Sequence, residues 1–181
     1  MNMMKRLLTI ATMVLLFPLQ VGALDNPALN TNLARDWAIQ ARGGYGWLSD
    51  NGLDLEGFSL GVSGGYRLYE DLFAKLDVEY SDFSWAGEER ARYLPLSAGL
   101  EYGIDLTPIV PYVGLSAGPL FRAVDSNDWK TKWFWQLAGG LDGIITPDFA
   151  VGIEARYHGD LENFSQNSLY VTLAVKTIYR F

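Results

Sequence analysis

Eleven charged side chains lie on the polar side of stretches in which about every second residue is apolar. Six are basic and five are acidic: Arg42, Arg67, Lys75, Arg156, Lys176, Arg180, Asp77, Glu79, Glu101, Asp142 and Glu154. A charge removed from water needs a partner, because an unpaired buried charge costs several kcal/mol. The near balance of signs predicts either an ion-pair network that fills a narrow interior or a charged path that selects ions.

Nine of these residues form the predicted network, which we call the charge network. They are Arg42, Lys75, Asp77, Glu79, Glu101, Asp142, Glu154, Arg156 and Lys176. Six of them fall at a similar depth when counted from the short turns and form the predicted centre: Lys75, Asp77, Glu79, Glu101, Glu154 and Arg156. This common depth favours a structural plug over a narrow conduit.

The composition excludes several classes of protein. The chain has 181 residues, of which 49% are hydrophobic and 19% are charged, with no cysteine and one histidine. It therefore has no disulfide framework and no cysteine-ligated metal site, and little material for a histidine site. The formal net charge of -7 argues against nucleic-acid binding, which needs a basic surface. We expect no cofactor and no metal.

The alternating stretches position the charges and are typical of membrane-spanning strands, since they run for about 10 to 14 residues. Turn residues separate eight of them, predicted at about 37–48, 56–68, 72–81, 93–104, 109–122, 133–145, 149–158 and 169–181. The segment Asp82 to Arg92 is predicted to be a charged loop. The fold class predicted is all-β, an eight-stranded antiparallel up-and-down transmembrane β-barrel.

The apolar side of each stretch is predicted to face outward. It carries aromatic residues near the strand ends, such as Trp37, Tyr66, Trp135 and Tyr179, where they suit the two interfacial belts of a membrane. A closed barrel also pairs every backbone group within lipid. A soluble barrel or sandwich is the less favoured alternative, since its apolar faces would share one core.

The first 23 residues have the features of a secretory signal peptide. Lys5 and Arg6 precede an apolar run, Leu7 to Leu19, that is short for a membrane helix, and small residues end the segment at Ala23. Removal of residues 1–23 changes the formal charge from -7 to -9, because that segment holds two basic residues and no acidic one. The predicted divisions are a signal peptide at 1–23, a periplasmic segment at 24–35 and the barrel at 36–181.

Four segments resemble the eight-stranded outer-membrane barrels of the OmpA transmembrane-domain and OmpX type. They are Pro111 to Gly118, Gln136 to Asp142, Val151 to Tyr157 and Ile178 to Phe181. The resemblance implies an integral protein of the Gram-negative outer membrane, with a role in membrane integrity or surface interaction and no catalytic site. A last strand that carries Tyr179 and ends in Phe181 also resembles the signal read by the barrel-insertion machinery.

The partners implied by this location are outer-membrane lipid and lipopolysaccharide, the barrel-insertion machinery and periplasmic chaperones. We expect a monomer that binds no nucleic acid. Four loop-side bases, Arg90, Arg92, Lys130 and Lys132, could contact lipopolysaccharide phosphates, although a simply solvated charged surface is favoured.

An enzyme that modifies lipid A is a less favoured alternative. Deacylases among such barrels use a histidine, a serine two residues later and an acid. Here Gly159 and Asp160 follow His158, and Ser165 and Ser168 lie farther along the loop. We therefore interpret His158 as a polar residue of the barrel rim.

A channel for hydrophobic ligands, of the OmpW sort, is a further alternative. It would need an apolar lumen, and four inward residues fit that requirement: Phe73, Tyr112, Phe134 and Ile178. Charges nevertheless dominate the predicted middle of the barrel.

Overall fold

Eight antiparallel strands close into a barrel. The computed structural model describes residues 35–50, 53–69, 71–85, 89–104, 106, 108–124, 129–161 and 169–181. The strands are β1 (Trp37–Asp50), β2 (Leu53–Tyr69), β3 (Leu72–Trp85), β4 (Glu89–Gly103), β5 (Ile109–Val124), β6 (Lys130–Thr146), β7 (Phe149–Asp160) and β8 (Leu169–Arg180). Neighbours in sequence pair with one another, so the predicted up-and-down fold is confirmed.

Closure joins the first strand to the last. β1 pairs with β8 from Ala38 opposite Arg180 to Ser49 opposite Leu169. At one end, Trp37 and Phe181 exchange backbone hydrogen bonds of 3.2 and 3.0 Å. We call this end of the barrel the turn end. It contains the start of β1, the end of β8 and the connections β2–β3, β4–β5 and β6–β7. The opposite end is the loop end.

The predicted charged loop from Asp82 to Arg92 is wrong over much of its length. β3 continues to Trp85 and β4 begins at Glu89, with Phe83 opposite Ala91 and Ser84 opposite Arg90. Most strands also extend beyond their predicted limits at the loop end. At that end the alternation is inverted, because apolar residues such as Phe83 and Ala91 face the lumen and polar residues such as Ser84 and Arg90 face outward.

The two faces of the wall follow the predicted alternation. Outward residues are largely exposed, as with Leu60 at 56% and Leu115 at 60%, whereas inward residues are buried. The interior has three layers. An apolar layer at the loop end, which we call the aromatic cap, comprises Leu48, Leu55, Phe83, Ala91, Tyr93, Leu120, Phe134 and Tyr170. A smaller apolar layer at the turn end comprises Ala38, Ala150 and Ile178, and charged side chains lie between the two layers.

Residues 1–34 lie outside the described residues. They comprise the predicted signal peptide and most of the predicted periplasmic segment. Among the residues that the structure describes, no helix is long and apolar enough to cross a membrane.

Candidate functional site

Two arginines extend into the middle of the lumen from β1 and β7, the strands on either side of β8. Arg42 on β1 places Nη2 2.5 Å from Asp77 Oδ1 and 2.9 Å from Glu79 Oε2, both on β3. Arg156 on β7 forms ion pairs with Asp77 and Glu154, and its Nη1 lies 3.4 Å from Glu79 Oε2. The four side chains other than Asp77 are at most 2% exposed. These contacts tie β1, β3 and β7 together across the barrel.

Two lysines extend the ion pairs toward the turn end. Lys75 Nζ lies 2.6 Å from Glu101 Oε2 and 2.9 Å from Gln40 Oε1. Lys176 Nζ lies 3.0 Å from Asp142 Oδ1 and 3.9 Å from Glu154 Oε2. Glu154 therefore joins this level to the arginine level above it.

A tyrosine completes the lower level. The Tyr112 hydroxyl donates a hydrogen bond of 2.7 Å to Glu154 Oε2. The face of its ring lies 3.6 Å from Lys176 Nζ, close enough for a cation–π interaction. Tyr112 thus contacts a carboxylate through its hydroxyl and an ammonium through the face of its ring.

Each of the nine residues of the charge network points into the lumen and contacts at least one residue of opposite charge. Arg67 and Arg180, the other two inward bases, lie near the turn end. Arg67 donates to the carbonyl of Arg35, and its guanidinium lies 5.7 Å from the centre of the Phe73 ring.

Glycines on adjacent strands provide the room for these long side chains. A Cβ added to Gly61 would contact the guanidinium of Arg42, with Nη2 at 2.5 Å and Nε at 2.7 Å. A Cβ on Gly152 would contact Asp142 and would lie 3.2 Å from Lys176 Cε. An eight-stranded barrel has an interior that side chains fill completely, so a large residue on one strand requires a small one opposite.

His158 is not at the rim, so that interpretation is wrong. It is 1% exposed, beneath the aromatic cap, with its ring stacked on Tyr170 at 3.8 Å. Its Nε2 lies 3.8 Å from Glu79 Oε1. The ring is buried because cap residues from neighbouring strands, including Phe134, close over it. It therefore lies where the cap meets the charge network.

Three lumenal residues with polar roles were not assigned to the network from sequence: Gln40, Tyr112 and His158. All three alternate with outward apolar residues, which is the signal that could have found them. For Tyr112 the strand register gives a second signal, because Gly140 lies opposite both Tyr112 and Glu154.

The C-terminal aromatic residues face outward at the turn end. The rings of Tyr179 and Phe181 stack at 6.1 Å, and the residues are 54% and 50% exposed. Their function as an insertion signal stays a prediction. Within the described ranges, no group of three or more His, Asp or Glu side chains could hold a metal ion.

Comparisons with known proteins agree with this architecture. A family model described as "Outer membrane protein beta-barrel domain" matches residues 9–176. The crystal structure of Neisserial surface protein A has 22% identity and a TM-score of 0.71, covering 80% of this chain and 97% of that one. No curated protein sequence matches the chain.

Two further barrels have different descriptions. Ail, the attachment invasion locus protein of Yersinia pestis, has 16% identity and a TM-score of 0.57, covering 81% of this chain and 99% of that one. The outer membrane enzyme PagL has 14% identity and a TM-score of 0.52, and the match covers 80% of this chain and 99% of PagL. At such identities these structures establish the fold alone.

Proposed function

Because the chain belongs to the outer membrane protein beta-barrel family, and is an integral protein of the Gram-negative outer membrane, we propose that it is a non-catalytic barrel with a closed lumen. Its role is structural and in surface interaction. The observation that carries this proposal is the buried charge network between two apolar layers. Barrels of this kind have short periplasmic turns and long extracellular loops, so the turn end is periplasmic and the loop end extracellular.

Ion passage would require both levels of the network to separate. The guanidinium of Arg156 contacts carboxylates of both β3 and β7, and that of Arg42 contacts the same carboxylates of β3. A passing ion would break these contacts in a region that excludes water, where an unpaired charge is costly. The aromatic cap lies above, and apolar constrictions hinder ions by dewetting. Both features support closure over a narrow conduit.

The same arrangement disfavours a hydrophobic-ligand channel. An apolar ligand in the lumen would remove partners from Asp77, Glu154 and Lys176 without replacing them. A lumen suited to such ligands is lined mostly by apolar side chains.

A catalytic role is also disfavoured. The ring of His158 stacks on Tyr170 and is 1% exposed, so an acyl ester at the membrane surface has no route to it. A general base must come within hydrogen-bond reach of the proton that it takes. We therefore propose a non-enzyme, although the structurally similar PagL is an outer membrane enzyme.

The proposed partners follow from the location. We propose contact with outer-membrane lipid and lipopolysaccharide, insertion as a monomer, and delivery by periplasmic chaperones to the barrel-insertion machinery. The barrel-insertion machinery would recognise the C-terminal residues Tyr179 and Phe181.

Closure can be tested by the accessibility of single cysteines, because the chain contains none. We expect Ser81→Cys and Ser59→Cys, whose serines are 0% and 2% exposed in the lumen, to resist a charged thiol reagent added to either face of folded protein in vesicles. The control, Ser84→Cys, is at an exposed outward position and should react fully in the same period. Labelling of the two lumenal cysteines as fast as the control would overturn the proposal.

A further inference from the structure

The only histidine of the chain belongs to a ring stack that joins two strands at the loop end. His158 on β7 lies directly opposite Tyr170 on β8, and their ring centres are 3.8 Å apart, with 11° between the ring planes. One further pair, Gly159 with Leu169, ends the β7–β8 ladder above them. β7 and β8 have 12 residues each, whereas the other strands have 14 to 17. The stack therefore closes the seam between the two shortest strands.

Ring packing holds this stack together. His158 is 1% exposed and Tyr170 is 3% exposed. The ring of Phe134, on β6, lies 6.0 Å from the histidine ring. Within the described part of the chain, the two ring nitrogens of His158 and the hydroxyl of Tyr170 have no hydrogen-bond partner. Buried polar groups without partners cost free energy, so water would stabilise all three atoms if the seam opened.

The acidic groups around the histidine ring are already paired with bases. The charged and titratable groups that surround the ring or line the cavity beside it are Arg42 of β1, Asp77 and Glu79 of β3, Tyr93 of β4, Arg122 of β5, Lys132 of β6, Arg156 and Asp160 of β7, and Tyr170 of β8. The two β3 carboxylates form ion pairs with both arginines of the charge network, and Asp160 pairs with Lys132. Nε2 of His158 lies 3.8 Å from Glu79 Oε1, which already accepts a hydrogen bond of 3.1 Å from Ser81. A second N–H on the ring would therefore compete with existing partners.

The histidine ring is close to the extracellular end of the barrel. A cavity of about 20 Å³, enough for about one water molecule, lies beside it toward the loop end. Its lining includes His158, Tyr170 and Lys132. The Lys132 side chain is 32% exposed. The ring thus lies one layer of residues beneath the extracellular solvent.

We propose that His158 and Tyr170 form a latch of the aromatic cap that extracellular acid releases. While the histidine ring is neutral, the stack keeps the β7–β8 seam closed at the loop end. When the seam opens, the ring enters water, takes up a proton from the external solution and is kept out of the apolar cap by its charge. This inference rests on the closed lumen proposed above and adds that closure of the cap depends on pH.

The size of the effect follows from the proton equilibrium of the open state. A histidine in water has a pKa of about 6.5. The closed seam is therefore most stable above that pH and loses stability as the pH falls below it, because the open state then binds a proton. The equilibrium for opening shifts by about tenfold for each pH unit well below the pKa, and by about 30-fold between about pH 7.5 and pH 5.

A cysteine beneath the latch tests this proposal. Thr172 is 1% exposed and points into the lumen, two residues below Tyr170 on β8. Labelling of Thr172→Cys by an external charged thiol reagent is measured on folded protein in vesicles and divided by the rate for the exposed control Ser84→Cys. This ratio removes the reagent's own dependence on pH. We expect it to increase by about 30-fold from about pH 7.5 to pH 5.

The matched control is the same cysteine in a chain that carries His158→Phe, which keeps a ring in the stack but takes up no proton. Its ratio should be the same at both pH values. His158→Gln, which also has no titratable group, should behave in the same way, so the result does not depend on the fit of one ring. An equal increase with and without the histidine, or no increase with it, would overturn the latch. Labelling of Thr172→Cys as fast as the control already at neutral pH would overturn the closed lumen together with the latch, so the two failures are distinguishable.

Discussion

Replacing Arg156 by alanine is expected to lower the free energy of unfolding by about 3–5 kcal/mol, the usual cost of removing one member of a buried ion pair. Arg156 contacts Asp77, Glu79 and Glu154, and the side chains of the last two are at most 1% exposed. These carboxylates would then keep only their remaining partners in a region without bulk water. Urea unfolding in lipid vesicles, followed by tryptophan fluorescence, measures the change.

An exposed arginine–aspartate pair provides the control for Arg156→Ala. Arg35 Nη2 lies 2.8 Å from Asp148 Oδ1, and the two side chains are 46% and 42% exposed. Exposed pairs contribute little, so Arg35→Ala should change the free energy of unfolding by less than about 1 kcal/mol. If both variants lose the same small amount, the charge network does not stabilise the barrel.

Replacing Gly61 by valine is expected to cost about 1–3 kcal/mol, the usual range for overpacking a filled interior. The new Cβ would lie 2.5 Å from Nη2 of Arg42 and 2.7 Å from Nε, so the guanidinium must move. That movement would also lengthen the contacts of Arg42 with Asp77 and Glu79, which are now 2.5 and 2.9 Å. The same urea titration measures the loss.

Gly64 is the matched control, since it lies on the same strand and faces outward. A Cβ there would meet nothing within 4 Å. Gly64→Val should therefore leave stability unchanged or raise it by about 0.4–1 kcal/mol, because the unfolded chain loses conformational freedom. Equal losses in Gly61→Val and Gly64→Val would mean that the cost arises in the strand and not in the lumen.

Alternation was sufficient to predict the strands wherever the wall has an apolar outer face. In β4 the outward residues Leu94 to Tyr102 and the inward residues between them follow it without interruption. It failed above that band, where Ser84 and Arg90 pair across two strands that the sequence suggested were a loop. Backbone pairing continues there with the alternation inverted: Phe83 and Ala91 face the lumen and the polar residues between them face outward, so a search for an apolar outer face misses these strand ends.

For the lumen, the sequence could assign residues to a face but could not determine their partners. Arg42 meets Asp77 and Glu79 because of the depth at which β1 and β3 hold them, which depends on the stagger of the whole barrel. His158 is buried by Phe134 and Tyr170 of the two neighbouring strands, and this pairing depends on strand register, which the sequence of β7 alone does not contain. Alternation within one strand carries no information on that stagger.

Recording the refolded protein in a planar bilayer tests the closed lumen most directly. Insertion is first verified by the shift in electrophoretic migration between folded and heated protein. The ion pairs of Arg42 and Arg156 beneath the aromatic cap predict no stepwise currents above the protein-free baseline. Reproducible openings by the wild-type barrel would contradict the account and would mean that the charge network lines a conducting path.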